Sequence, residues 1–292
     1  MKNRGLIVFS CVIALLAGCA KSNQYVPTKA KAVNFVATGK KGADFNLNNK
    51  NGTWWANTIN LQSHWFYTWG LSIPQELAPQ NAEYVPMFWG KSSVTDANIA
   101  LAKQMKEQGR ARYILGFNEP DLSDQANMTV QEALNLWPQL ESIGLPIGSP
   151  AASYPTRQWI YDFMDQAIAQ GKRVDFICVH MYVGTDENNF VKVLQDLYNK
   201  YHRPIWITEF ATVHDQAKTL AENPYTPQVV LGFMQRLLPK LEALDFVHRY
   251  SWFTASATSA RLGPSALIDP NGNLTELGKW YSEYKPNKEI KR

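Results

Sequence analysis

Glu119 and Glu209 carry the most chemistry per residue in this sequence. Glu119 lies in "ILGFNEPD" (114–121) and Glu209 in "IWITEFA" (205–211), and the two runs share one layout. Each is a β-favouring apolar stretch that stops abruptly at a carboxylate. A charged side chain at the mouth of a buried strand is costly unless a site uses it. Two such groups on separate strands of one sheet can face each other across a cleft, the minimum equipment for cleaving a glycosidic bond with two carboxyl groups. Other chemistries are less well equipped. The five histidines (His64, His180, His202, His214, His248) show no metal-binding spacing on a helix, so neither a metal nor another cofactor is expected. No Gly-x-Ser-x-Gly elbow follows a strand, which speaks against a serine hydrolase.

The elements that must position the glutamates read as strand followed by helix, repeatedly. Candidate strands lie near 42–46, 64–69, 84–89, 112–118, 145–149, 175–182, 204–210 and 248–253. Several are near-continuous apolar runs, as in parallel strands covered on both faces. Helix starts are legible between them. Thr129 stands three residues before Glu132 in a capping-box pattern, Thr226 precedes Pro227, and Thr95 opens a helix that closes at Gly109. Pro138 and Pro239 fall inside helical patterns and predict kinks or breaks. Eight alternating units argue a single α/β domain, a (β/α)8 TIM barrel, with a doubly wound open sheet as the alternative. In a barrel the active residues sit where strands end. Glu119 closes the fourth candidate strand and Glu209 the seventh. His180 and Tyr182 close the sixth, Trp69 the second, Trp89 the third, and Trp252 with Phe253 the eighth.

The first residues are set apart from the fold. Lys2 and Arg4 precede an apolar run from Gly5 to Leu16 that is too short to span a membrane as a mature helix. Leu16-Ala17-Gly18-Cys19 resembles a bacterial lipobox, which makes residues 1–18 a signal peptide, Cys19 the lipidated residue and 19–38 a tether. By resemblance to lipoprotein sorting rules, Ala20 after the cysteine implies an outer-membrane lipoprotein of the bacterial envelope. Residues 39–286 are the expected catalytic domain and 287–292 a tail. Among the three cysteines, Cys178 sits alone in an apolar run, so no disulfide is expected. The net charge of +4 has no basic stripe behind it, so nucleic acid is excluded as a partner. Ten tryptophans and thirteen tyrosines suit a surface that stacks sugars, although most such rings are packing.

The blocks "YVPMFWG" (84–90), "LGFNEPDLSDQANMTVQEA" (115–133), "VDFICVHMYV" (174–183), "RPIWITEFA" (203–211), "RYSWF" (249–253) and "ALIDPNGNLTELGKWY" (266–281) carry a family resemblance. Together they resemble glycoside hydrolase family 128 of clan A, β-1,3-glucanases with an alkali-sensitive-linkage-type catalytic domain, over roughly residues 40–284. The resemblance implies a retaining double displacement on β-1,3-glucan, with Glu119 as acid/base and Glu209 as nucleophile; separately, a monomer is expected. The resemblance also implies that Asn118 bonds the sugar 2-hydroxyl, that Tyr182 donates to Glu209, and that His180 contacts Glu209 or the sugar. Trp69, Trp89 and Trp252 are expected to bind substrate. Two positions depart from the family. Met181 stands where tryptophan is expected, and strand alternation turns it away from the site. Thr68 replaces an asparagine, which puts one sugar contact in doubt. Two other readings stay open: a clan A hydrolase of another β-glucan or β-mannan, and a non-catalytic glucan-binding lipoprotein.

The lipobox generates a direct test. Cys19→Ser abolishes incorporation of labelled fatty acid and leaves the precursor unprocessed. Unchanged labelling would reject lipidation at this residue.

Overall fold

The computed structural model describes residues 39–47, 54–79 and 82–284. The signal peptide, Cys19, the whole of the expected tether and the C-terminal tail lie outside the described residues. In chain order the elements are β1 (Lys41–Asp44), α1 (Trp54–Asn60), β2 (Trp65–Tyr67), β3 (Glu83–Tyr84) and α2 (Asp96–Glu107). They continue with α3 (Val130–Glu141), α4 (Gln158–Ala169), β4 (Ile177–Val183), α5 (Glu187–Tyr201) and β5 (Ile205–Thr212). The last three are α6 (Pro227–Ala243), β6 (Val247–Trp252) and α7 (Glu276–Glu283).

Among the described residues the strands form one six-stranded parallel sheet in the order β3-β2-β1-β6-β5-β4. This corrects the expectation of eight strands. The stretches read as strands at 112–118 and 145–149 are instead held by isolated parallel bridges: Met87 to Leu115, Ile114 to Ile147, Asn118 to Ala151, and Gly148 to Phe176. Proline explains the interruption. Pro86, Pro146 and Pro150 cannot donate to a ladder, yet the carbonyls of Pro86 and Pro146 still accept from Leu115 and Ile114. The two segments also approach closely, since a Cβ on Gly116 would lie 2.8 Å from the Gly148 carbonyl oxygen.

The helices start where the sequence says they should. Thr129 and Glu132 form a reciprocal capping box on α3, and the Thr95 and Thr226 hydroxyls accept from Asn98 and Val229. The breaks expected at Pro138 and Pro239 do not occur: α3 and α6 run on through them. Leu140 and Leu241, fully buried beyond each proline, anchor the last turns to the core and offset the lost hydrogen bond. The first strand and last helix are tied by a buried lysine. Lys41 Nζ donates to the Tyr281 and Tyr284 carbonyls at 2.7 Å each, where α7 presents unpaired carbonyls.

Two hydrophobic layers result. The larger lies between helices and sheet and includes Ile177, Val179, Met181, Ile205, Ile207 and Phe210. The smaller lies on the other face of the sheet and includes Trp65, Tyr67, Val85, Leu115, Phe176, Cys178 and Trp206. Met181 thus packs away from the site, and Cys178 is a free, buried thiol. At the N-terminal ends of β3 and β6 the smaller layer holds a buried ion pair, Arg249 Nη2 to Glu83 Oε2 at 2.6 Å. The guanidinium carbon lies 4.2 Å from the Trp206 ring centroid. Removing one partner strands a buried charge. Arg249→Ala is therefore expected to cost about 3–5 kcal/mol of unfolding free energy, read as a lower urea midpoint; an unchanged midpoint would contradict this role.

Candidate active site

The C-terminal ends of the strands bring the candidate residues together. Glu209 belongs to β5, where simple alternation would put it on the face of Ile205 and Ile207, toward the helices. A bulge prevents that. Val179 pairs with Ile207 but His180 pairs with Glu209, so Thr208 is an extra residue in β5. The bulge turns Glu209 to the same side as His180 and sends Phe210 into the outer layer. Glu119 follows Asn118 with φ +41°, in the left-handed region that a side chain adopts only when its surroundings impose it. Trp69 is held there as well, at φ +55°.

Glu209 is 5% exposed and is met by three donors. Tyr67 Oη and Trp69 Nε1 donate to Oε1 at 3.0 and 2.8 Å, and Tyr182 Oη donates to Oε2 at 2.5 Å. His180 is fully buried between the glutamates. Its Nδ1 lies 2.9 Å from Glu119 Oε1, and its Nε2 faces Glu209 Oε1 at 3.4 Å without a well-aligned bond. Oxygens of the two glutamates and the imidazole come within 4.8 Å of one another. Among the described residues this is the one group of such donors close enough to share a cation, but Tyr67, Trp69 and Tyr182 already occupy the Glu209 oxygens.

The electrostatics follow from this packing. Burial alone would lower the His180 pKa, but the charge of Glu209 and the bond to Glu119 outweigh it and raise it. Burial first, and then the charge of Glu209, push the Tyr67 and Tyr182 hydroxyls well above their ordinary range, so both remain neutral donors.

Asn118 lines the cleft with its Nδ2 donating to Gln125 Oε1 at 3.3 Å. Its Oδ1 is buried and has no partner among the described residues. Trp69, Trp89 and Tyr182 also line the cleft. Trp252 does not, which corrects its assignment as a substrate contact. Its ring is fully buried against Phe210, and its Nε1 donates to the Ser265 carbonyl at 2.9 Å. The next residue, Phe253, takes its place at the cleft, edge-on to Trp69 and Tyr182. His180 is likewise shut off from solvent, so it meets the carboxylates rather than a sugar. Tyr67 and Asp44 are additions that the sequence reading lacked. Asp44 in "KGADFN" offers a signal of the same kind as the glutamates, a lone acid in an apolar strand. Tyr67 in "WFYTW" looks like any core aromatic.

The cleft around these groups has a volume of about 1440 Å³. That exceeds the roughly 300–1,000 Å³ of a small-molecule pocket and suits an oligomer. It extends from Asn46 and Trp54 to Tyr154 and Arg157.

Comparison with known proteins agrees with the geometry. A family model described as the glycosyl hydrolase catalytic core matches residues 42–281. Alkali-sensitive linkage protein 1 of Schizosaccharomyces pombe is 34% identical over 244 residues, 77% of this chain and 41% of that protein. The chain thus spans less than half the length of that curated relative. A GH128 subgroup I endo-β-1,3-glucanase from Amycolatopsis mediterranei, solved with laminaripentaose, is similar at 36% identity and a TM-score of 0.72. That alignment covers 83% of this chain and 98% of the other. A GH128 subgroup VII oligosaccharide-binding protein from Trichoderma gamsii shares the fold at 23% identity, with a TM-score of 0.63 over 84% of this chain and 92% of that one.

The raised His180 pKa sets a pH dependence. A group whose folded pKa is raised contributes its full stability below the unfolded value, 6.5, and loses it as pH rises through the folded value. The difference in melting temperature between the natural chain and His180→Gln should therefore be largest in mild acid and shrink as pH rises. A difference constant from pH 5 to 9 would show that the histidine is not charged in the fold.

Proposed function

Since the chain belongs to glycoside hydrolase family 128, we propose that it hydrolyses β-1,3-glucan by a retaining double displacement, with Glu119 as acid/base and Glu209 as nucleophile. The observation that carries this reading is the approach of the two carboxyl groups within 4.8 Å. Retaining pairs stand about 5–5.5 Å apart, whereas inverting pairs leave room for a water at about 6.5–9.5 Å. The substrate class is supported by the 36% identical glucanase solved with laminaripentaose and by the size of the cleft. The parallel bridges from Met87 through 114–118 and 147–151 to Phe176 support reading the sheet as a closed (β/α)8 barrel.

In the first step a Glu209 oxygen attacks the anomeric carbon while Glu119 delivers its proton to the leaving oxygen. The three donors on Glu209 suit an ionised nucleophile. Glu119 Oε1 is turned to His180, which leaves Oε2 for the glycosidic oxygen. In the second step Glu119, now ionised, takes a proton from water, and the hydroxide oxygen displaces Glu209 from the sugar. Asn118 Oδ1 is the acceptor best situated for a substrate hydroxyl beside the reacting carbon.

The two roles separate by chemical rescue. Glu209→Ala removes the attacking atom, and hydrolysis of every substrate should collapse. Glu119→Ala should still form the glycosyl-enzyme from substrates with good leaving groups, then stall. Added azide then gives a β-glycosyl azide with the Glu119 variant and the α-product with the Glu209 variant. The opposite pattern would exchange the roles. A folded natural chain that binds laminarioligosaccharides but cleaves none would make it a binding protein instead.

A further inference from the structure

Asp44 is a third carboxyl group beneath the same site, and no step of the proposed hydrolysis uses it. It ends β1 in register with Tyr67, whose hydroxyl reaches Glu209. The side chain is fully buried. Ser251 Oγ donates to its Oδ2 and the Thr254 N–H to its Oδ1, each at 3.0 Å. Thr254 Oγ1 stands 2.5 Å from the Asp44 main-chain oxygen and 3.0 Å from Oδ1. A threonine hydroxyl carries one proton, and the shorter contact takes it. The longer contact becomes a full hydrogen bond only if the carboxyl supplies the proton, with Asp44 Oδ1 donating to Thr254 Oγ1.

The titratable groups around Asp44 favour the same state. Glu209 faces it from β5, Tyr67 from β2, His180 and Tyr182 from β4, and Tyr281 from α7. Of these only His180 offers a positive charge, and it is already shared by the two glutamates. Burial and then the Glu209 charge push the Asp44 carboxyl well above its ordinary range, against the opposing Thr254 and Ser251 bonds.

We propose that Asp44 is a positioning residue that works as a neutral acid: its proton ties the end of β1 to Thr254 and leaves Glu209 as the ionised carboxylate beside it. The inference rests on the reading of Glu209 as the nucleophile. An ionised Asp44 would raise the cost of ionising Glu209, and loss of the tie would free the segment after β6, where Phe253, Thr254 and Ala255 line the cleft.

Infrared spectroscopy of the full chain tests the protonation state without reference to turnover. Glu119→Gln first removes the acid that the proposed mechanism keeps protonated. With carbon-13 in the aspartate side chains, a carboxylic-acid carbonyl band at pH 7 that shifts with the label is the expected result, and its loss in the added Asp44→Asn variant assigns it. Absence of a label-sensitive acid band at pH 7 would overturn the proposal, whether or not Asp44→Asn folds. Kinetics give an independent arm that does depend on turnover. In Asp44→Asn with both glutamates intact, the acid limb of kcat/KM should keep its midpoint whatever the absolute rate. A midpoint displaced downward by about one pH unit or more would mean that Asp44 is an anion burdening Glu209.

Discussion

Carboxyl groups crowded at short range in a nearly dry site are the constraint to which the rest of this structure answers. Two carboxylates within 4.8 Å would, if both were ionised, repel by on the order of 3 kcal/mol at an effective dielectric near 20, and Asp44 adds a third acid. The fold meets this repulsion with donors. Tyr67, Trp69 and Tyr182 converge on Glu209, His180 lies between the glutamates, and Ser251 and Thr254 hold Asp44. All arrive from strand ends or the segments just after them. A sheet whose strands run in parallel delivers such residues to one edge, and that is why a parallel fold suits this chemistry.

Delivering them has a local cost in backbone geometry. Glu119 and Trp69 occupy the left-handed region, at roughly 1–3 kcal/mol each. Thr208 interrupts the register of β5 beside β4. A further register shift against β6 falls between Ile205 and Trp206, at the start of β5. The long apolar face between helices and sheet, with residues such as Phe163, Leu194 and Leu237 fully buried, holds the distortions in place.

These distortions bear on which parts of the molecule were legible in the sequence. Glu119 and Glu209 stood out because an acid that ends an apolar run has few structural uses. Six strands and the capped helix starts were readable from apolar runs and from threonines at the right offset. The segments 112–118 and 145–149 carried the apolar signal of strands, but prolines and glycines thin their ladders to single bridges. The facing of Glu209 was not legible, because alternation counted from Ile205 gives the wrong side and only the bulge corrects it. Trp252 was misread for a related reason. Strand ends alternate too, so Trp252 turned outward and Phe253 inward. A single sequence shows that a strand ends without fixing which of its last two residues faces the cleft.

The two ends of the sheet also divide the electrostatic work. At the N-terminal ends, Arg249 and Glu83 neutralise each other beneath Trp206 and Trp65. At the C-terminal ends, among the described residues, three acids gather around His180. Between them lie Trp206, Phe176, Leu115 and Cys178, an apolar layer that excludes water and counterions. A neutral pair at one end adds nothing to the negative potential at the other, whereas an unpaired Glu83 would lie on the same dry path as the reactive acids. The buried ion pair therefore leaves no uncompensated charge beneath that layer, and the acids stand apart from it at the rim.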